Sequence, residues 1–399
     1  MKILYVTTKS PLPTNDGHSL RTYNLLRSVA EQHSVTLLSF VKFPVEYSYQ
    51  HELEAICSSV VLLSLPENNS KFRLIGSAAI NLFTSAPFVA NKYAAENMRT
   101  AIKEHLAQQD FDLMHLDMLP LGGYLDIIDK PVLLNAHNVE SALLKRKAES
   151  LKDWPAQWYF THQAARLNCF EQMVVSSVNH VVACSDEDRI ILKSMVPSVS
   201  VSVVPNGVDT DHYQPSNSQL TDTKRMVFIG GMNWFPNKDA IVWFDDVIQN
   251  EMLQLDPEVR LDVIGRNDGD MKLRHQDSIV MHGFVDDVRT YIEQAAVVIV
   301  PIRVGGGTRL KVLEAMSMGK AMVSTSIGVE GIQVEHDKNV LIADTPQEFA
   351  RAVYRLQNDA ELRGRLGQAA RELVINQYRW DVIGQRLLDA YDTMLGAQP

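Results

Sequence analysis

Short apolar runs rich in β-branched residues recur along the chain with helical patterns between them. They are ILYVTT (3–8), VTLLSF (35–40), SVVLLSL (59–65), LMHLD (113–117), PVLLNAH (131–137), HVVACS (180–185) and SVSVVP (200–205) in the first half. MVFIGG (226–231), LDVIG (261–265), IVMHG (279–283), VVIVPI (297–302) and AMVSTS (321–326) follow in the second. Near-continuous apolar strands separated by helices indicate parallel sheets covered on both faces. Twelve such runs exceed one open sheet of usual size. The pattern therefore predicts an α/β protein of two doubly wound domains. The stretch PNGVDTDHYQPSNSQLTDTKR (205–225) is rich in turn residues and poor in apolar ones, and MVFIGG restarts the βα rhythm after it. The expected division is 1–205 and 206–377. In the last stretch, YRWDVIGQRLLDAYDTML, the residues Trp380, Ile383, Leu387, Tyr391 and Met394 fall on one helical stripe.

Composition narrows the picture. The chain has 399 residues, 46% of them hydrophobic and 22% charged, enough to bury two cores without staples. Its net charge of −10 argues against general nucleic-acid binding, so any anion site must be local. The three cysteines, Cys57, Cys169 and Cys184, lack metal-ligand spacing and read as buried thiols of a reduced compartment. MKILYVTTKSPLP is too short in apolar residues for a signal peptide, and no window approaches a transmembrane span. The expectation is a soluble, cytoplasmic protein.

One stretch carries chemistry. In VGGGTRLKVLEAMSMGKAMVSTSIGVEGI (304–332), a glycine run follows a buried strand, and Arg309 and Lys311 fall in what reads as the first turn of a helix. The helix dipole is positive there, so cations at that end call for an anion nearby. In open α/β sheets ligands bind at the carboxyl ends of strands. Gly305, Gly306 and Gly307 let backbone N–H groups approach closely, Thr308 is a candidate N-cap, and Gly319 can end the helix. A phosphate group accounts for all of these features. The blander reading is a solvated turn with Lys311 and Glu314 paired at i, i+3. Neither GxxxxGK[ST] nor GxGxxG after a first strand is present, which sets aside a P-loop and a nicotinamide oxidoreductase.

With these pieces the chain resembles a retaining nucleotide-sugar glycosyltransferase of the two-Rossmann (GT-B) type, in the glycosyltransferase group 1 family, also called family 4. The resemblance runs through MKILYVTTKSPLPTNDGHSLR, NAHNVES, VVACSDEDR, VVPNGVDTDHY, FIGGMNWFPNKDA, VIGRN and HGFVDDV, and is densest in GGGTRLKVLEAMSMGKAMVSTSIGVEGI. It implies two facing Rossmann-like domains with a cleft between them and a final helix, about 378–399, crossing back to the N-terminal domain. It implies a UDP- or GDP-sugar donor on the C-terminal domain and a saccharide or lipid-linked saccharide acceptor on the N-terminal one. No cofactor is implied, and no metal where cations bind the diphosphate. Polysaccharide or glycoconjugate synthesis is the expected setting.

The resemblance also assigns residues. Glu314 matches the second glutamate of the family's E-x7-E motif, which accepts hydrogen bonds from the ribose hydroxyls. His137 matches the histidine near the donor's anomeric centre, though a lone histidine is as often structural. Gly17 matches the glycine loop over the phosphates. Gly231 and Arg266 fall in the loops of the donor site, and Phe284 and Val285 where the backbone meets the base. Two departures stand out. The first glutamate of E-x7-E is replaced by Gly306, and the arginine usual near Gly231 is missing, with Lys238 the cation left downstream. The compensation this suggests is that Arg309 and Lys311 carry the charge that neutralises the donor's diphosphate.

Other features read more blandly. Asp186-Glu187-Asp188, Asp209-Thr210-Asp211 and Asp268-Gly269-Asp270 read as caps and solvated turns before they read as Mg²⁺ sites. KFRLIGSAAINLFTSAPFVANKY (71–93) and LLKRKAESLKDWPAQWYF (143–160) mix aromatic and apolar residues with cations. Both read first as helical hairpins, with peripheral contact to the cytoplasmic face of a membrane as the second reading. A sugar-nucleotide epimerase and a non-catalytic nucleotide-sugar-binding protein are the rival functions. An epimerase returns an altered nucleotide sugar without an acceptor, and the loss of the glutamate at Gly306 keeps the binding protein in view.

Overall fold

The computed structural model describes residues 1–65, 81, 87–151, 153–215, 221–267, 269, 271–305 and 309–396. Gly306, Gly307, Thr308, Lys152, Asp268, Asp270 and most of 71–86, which the sequence singles out, lie outside the described residues.

Two compact units form: residues 1–205 with 383–399, and residues 206–382. The first holds a seven-stranded parallel sheet in the order β3-β2-β1-β4-β5-β6-β7. Its strands are β1 (Lys2–Thr7), β2 (Ser34–Val41), β3 (Ser59–Ser64), β4 (Leu113–Asp117), β5 (Val132–Ala136), β6 (His180–Ala183) and β7 (Val201–Val203). The second holds a six-stranded parallel sheet ordered β10-β9-β8-β11-β12-β13. Its strands are β8 (Asp222–Ile229), β9 (Arg260–Ile264), β10 (Ile279–Gly283), β11 (Ala295–Val300), β12 (Met322–Ser324) and β13 (Leu341–Ile342). β1, β4, β5 and β11 are buried along nearly their whole length. This is why they read as unbroken apolar runs and not as alternating ones.

In each sheet the chain builds outward on one side and then returns to the other side of the first strand. The reversal falls between β1 and β4 in one unit and between β8 and β11 in the other. At such points the loops leave the sheet in opposite directions and open a crevice at the carboxyl edge.

The final helix, Trp380–Gly396, buries the stripe Trp380, Ile383, Leu387, Tyr391 and Met394. From Ile383 on it belongs to the first unit. There the Tyr391 hydroxyl hydrogen-bonds His115 Nδ1 at 2.7 Å, and His115 stacks on Tyr5 of β1 with ring centroids 3.9 Å apart. Gly384 allows the helix to close on Ser28, where a Cβ would meet the serine Oγ at 2.3 Å.

Two expectations change, on Arg309 and Cys169, and the blander reading of the glycine segment is set aside. Arg309 is the N-cap residue of the helix Leu310–Ser317 and precedes its first turn, leaving Lys311 as the cation inside it. Lys311 and Glu314 are half-buried and not a solvated pair. Cys169 is exposed, while Cys57 and Cys184 are buried. Gly319 does end that helix, with φ +67°, the left-handed conformation that glycine adopts at low cost.

Candidate active site

In the second unit, the carboxyl edge at the β8/β11 reversal is built from short backbone approaches. The Gly230 N–H donates to Ile264 O at 2.7 Å, and the Met232 N–H to Arg266 O at 2.7 Å. Gly265, at φ +144°, lies so close that a Cβ would stand 2.4 Å from Gly230 O. The loops after β8 and β9 are thus sewn together at Gly231 and Arg266.

Lys311 reaches into this edge from the helix Leu310–Ser317. Its Nζ donates to Asn237 Oδ1 at 2.7 Å and stands 5.0 Å from the centroid of the Phe228 ring. Asn237 also donates from Nδ2 to Gly231 O at 3.0 Å. Burial, and next the guanidinium of Arg309, pull the Lys311 ammonium down to about 7. Arg309 folds its guanidinium over Gly305, where a Cβ would lie 2.9 Å from an Arg309 Nη. Lys238, by contrast, is exposed.

One turn beyond Lys311, burial raises Glu314, opposed by a hydrogen bond from the Tyr213 side chain and by Lys311. Burial, and next the Glu314 carboxylate, push the Tyr213 phenol up in turn. Tyr213 is fixed from the same helix, since its carbonyl accepts from Ser317 Oγ. On the β10 side, Phe284 is 64% exposed and the Arg266 guanidinium lies 5.3 Å from its ring centroid. Val285 packs against the core. The structure therefore brings Gly231, Arg266, Gly305, Arg309, Lys311 and Glu314 to one strand edge, with Phe284 beside Arg266.

In the first unit, the β1/β4 reversal is occupied by a polar network. Asp117, the last residue of β4, is fully buried. It accepts from Thr22 Oγ1 at 2.6 Å and Asn135 Nδ2 at 2.7 Å. His137 Nε2 lies 2.9 Å from its Oδ1, and His18 Nε2 lies 3.6 Å from its Oδ2. Burial alone would raise Asp117, but His137 and the bonded imidazoles hold it well below the usual carboxylate range. Burial carries His137 down to about 4 against the pull of Asp117, so it is neutral at pH 7. Gly17 opens the helix Gly17–Ala30, whose N-cap Asp16 accepts from Ser19 N at 3.0 Å. This places His18 edge-on to His137, with ring centroids 4.8 Å apart. Arg21, from the same helix, donates to Asn135 Oδ1 at 3.0 Å and to Val204 O at 2.8 Å. The loop after His137 is clamped by Glu171, which accepts from Glu140 N at 2.9 Å and Ser141 N at 3.1 Å.

Asp117 and His18 are the residues that the sequence reading missed. Asp117 closes an apolar run and reads as a strand end, and His18 carries no spacing signal. Among the described residues, His18, Asp117 and His137 bring ligand atoms within 4.8 Å of one another, the spacing a metal ion would need. The Asp117 oxygens are already engaged by hydrogen-bond donors, whereas the buried His18 Nε2 makes no hydrogen bond among the described residues. The acidic triplets behave as local caps. Asp186, Glu187 and Asp188 occupy the first turn of a helix capped by Ser185, and Asp209 accepts from the backbone N–H of Asp211 and His212.

The helices Glu140–Ser150 and Trp154–Ser177 pack together as a hairpin. Trp154 and Trp158 at its tip are 73% and 54% exposed, and Lys147 Nζ lies 4.2 Å from the Phe160 ring centroid. No helix among the described residues is long and apolar enough to cross a membrane.

Two family models account for most of the chain. Glycosyltransferase Family 4 matches residues 16–212, and Glycosyl transferases group 1 matches residues 223–359. The chain belongs to the group 1, family 4 glycosyltransferases. A D-inositol 3-phosphate glycosyltransferase of Corynebacterium aurimucosum is 24% identical over 71% of this chain and 72% of its own. Sucrose-phosphate synthase from Thermosynechococcus elongatus superposes with a TM-score of 0.71 at 15% identity, over 100% of both chains. The Anabaena protein HepE in complex with UDP-glucose superposes with a TM-score of 0.66 at 14% identity, over 98% of this chain and 100% of that one. Two Rossmann-like units and a last helix returning to the first are the GT-B architecture. At this level the chain's activity is transfer of a sugar from a nucleotide-sugar donor to an acceptor.

Proposed function

We propose that the chain transfers a hexose from a UDP- or GDP-sugar to a hydroxyl of a saccharide or lipid-linked saccharide, with retention of anomeric configuration. The observation that carries this reading is Lys311 Nζ lying at the end of β8, bonded to Asn237, with Glu314 one turn further along the same helix. This sets a cation for phosphate and a carboxylate for vicinal hydroxyls side by side. In this reading Lys311 and Arg309 neutralise the β-phosphate as it departs, an electrostatic stabilisation of the charge that develops in the transition state. Glu314 accepts from the ribose hydroxyls, the Phe284–Arg266 face meets the base beside the Val285 backbone, and the Gly305 backbone faces the donor sugar. The C1–O bond to the diphosphate breaks and a bond from C1 to the acceptor oxygen forms on the same face. The acceptor's proton passes to the departing phosphate. His137, held neutral against Asp117, contacts the donor sugar, and Gly17 closes over the phosphates.

With two cations at the diphosphate the reaction needs no metal. The exposed Trp154 and Trp158, on a hairpin that also carries Lys145, Arg146 and Lys147, fit an acceptor presented at a membrane surface. The test is incubation of the purified protein with a panel of UDP- and GDP-sugars and glycan acceptors, with and without a chelator. Product anomers are assigned by NMR. Release of nucleotide without glycoside formation on any acceptor, or an inverted product, would count against the reading.

A further inference from the structure

The loop after β8 lacks the arginine that the family resemblance leads one to expect, and the one cation in its sequence, Lys238, faces solvent. The neighbouring residue points the other way. Asn237 is 6% exposed and uses both ends of its amide. Its Nδ2 donates to Gly231 O at 3.0 Å, and its Oδ1 accepts from Lys311 Nζ at 2.7 Å. A Cβ at Gly230 would stand 2.6 Å from Lys311 Nζ and 2.7 Å from the Asn237 side chain, so glycine there keeps the place open for both. An ammonium has three donors and no acceptor. The amide oxygen engages one of them.

We propose that Asn237 is a positioning residue of the donor site, holding the Lys311 ammonium at the end of β8 where the diphosphate of a nucleotide sugar binds. The proposal rests on the donor reading above and deepens it. Neutral asparagine suits the role. A carboxylate at 237 would pair with the lysine more strongly and also repel the incoming phosphate. The charged groups acting on Lys311 are Arg309, which disfavours its protonation, and Glu314, which favours it. Among the described residues, β8 and the helix Phe235–Trp243 present it with the Phe228 ring, Gly230 and the Asn237 amide, none of which titrates.

The test is calorimetric titration of the full chain with UDP-glucose and with GDP-mannose between pH 6 and pH 8.5, where the diphosphate diester of neither probe titrates. Wild-type affinity falls as pH rises through about 7, where Lys311 loses its proton. Asn237→Ala binds roughly 2- to 10-fold more weakly, the worth of one ordinary hydrogen bond, and its inflection moves to lower pH. Asn237→Asp, nearly isosteric and a control for folding, moves the inflection to higher pH. Lys311→Met removes the inflection, and adding Asn237→Ala to it changes nothing further, because the two residues act as one unit. Equal weakening by Asn237→Ala in both backgrounds, with the pH profile unmoved, overturns the proposal and leaves Asn237 a loop brace. Failure of the wild type to bind either probe overturns the donor reading itself, an outcome distinct from the first.

Discussion

His137 Nε2 lies 2.9 Å from Asp117 Oδ1, and Asp117 is the fully buried last residue of β4. The bond network assigns the proton to Nε2, because an ionised carboxylate can only accept. The other ring nitrogen, Nδ1, is then left as an acceptor, suited to a sugar hydroxyl and not to a phosphate. Asp117→Asn offers the ring a donor or a weaker acceptor and unsettles that tautomer. The expected cost is roughly 10²-fold in turnover, in line with a misplaced catalytic contact, with nucleotide affinity nearly unchanged. Steady-state kinetics beside calorimetry would show it, and unaltered turnover would remove Asp117 from the mechanism.

His137 makes the first unit sensitive to mild acid. His137 titrates at about 4 in the fold against an ordinary 6.5. Between those values the unfolded chain takes up a proton that the folded chain refuses, so stability falls as pH drops from 6.5 toward 4. Burial lowers His115 and His180 as well, with the same sign. Asp117 has the same sign, its stabilisation being lost as pH falls below 3.8. Glu140, raised by burial to about 7, works the other way with Glu171 and Asp188, because the folded chain then takes up protons before the unfolded one does. In thermal melts from pH 7 to pH 4, His137→Asn should gain on the wild type as pH falls, because it removes the group that the folded chain refuses to protonate. An unchanged difference between the two across that range would mean the imidazole takes up its proton as readily in the fold as in the unfolded chain.

The two cations of the glycine segment should outrank the cation of the β8 loop. Lys311 is directed at Gly230 and Arg309 at Gly305, whereas Lys238 is exposed. Arg309→Ala with Lys311→Ala is expected to weaken UDP binding by roughly 10²-fold or more, as two charge-assisted contacts imply. Lys238→Ala should stay within about 2-fold, the scale of an exposed charge. The reverse order in calorimetric titrations would move the diphosphate site to the 231–238 loop.

Elements buried on both faces were legible and contacts across the fold were not. Each of the expected strands forms, because an unbroken apolar run between turn residues has few other uses. β13 was missed because Leu341–Ile342 is two residues long, too short to show a period. His137 could be found from its place after PVLLNA, but Asp117 could not. A carboxylate at a strand end says nothing of the three side chains, Thr22, Asn135 and His137, that converge on it from other elements. Lys311 stood out by sitting where the helix dipole disfavours a cation. Its partner Asn237, 74 residues away, carried no signal of its own and sits in a helix start where asparagine is ordinary. Arg309 was placed one position too far into the helix, within the uncertainty with which pattern sets boundaries.

The Tyr213 phenol lies beside the Glu314 carboxylate and holds its pKa down against the effect of burial. Ser317 Oγ grips the Tyr213 carbonyl from the same helix, so carboxylate and phenol are held as one piece. If Glu314 reads the ribose, the neighbouring phenol restrains the carboxylate that faces it. Tyr213→Phe keeps the ring and the Ser317 contact and removes the hydroxyl alone. It should bind UDP roughly 2- to 10-fold more weakly, the range of one hydrogen bond. Selectivity for UDP over 2′-deoxy-UDP should shrink by a similar factor, because a carboxylate free to rotate discriminates less. Competition calorimetry with the two nucleotides separates this from loss of packing. A packing defect would weaken both ligands equally and leave their ratio unmoved, whereas an orienting phenol must change the ratio.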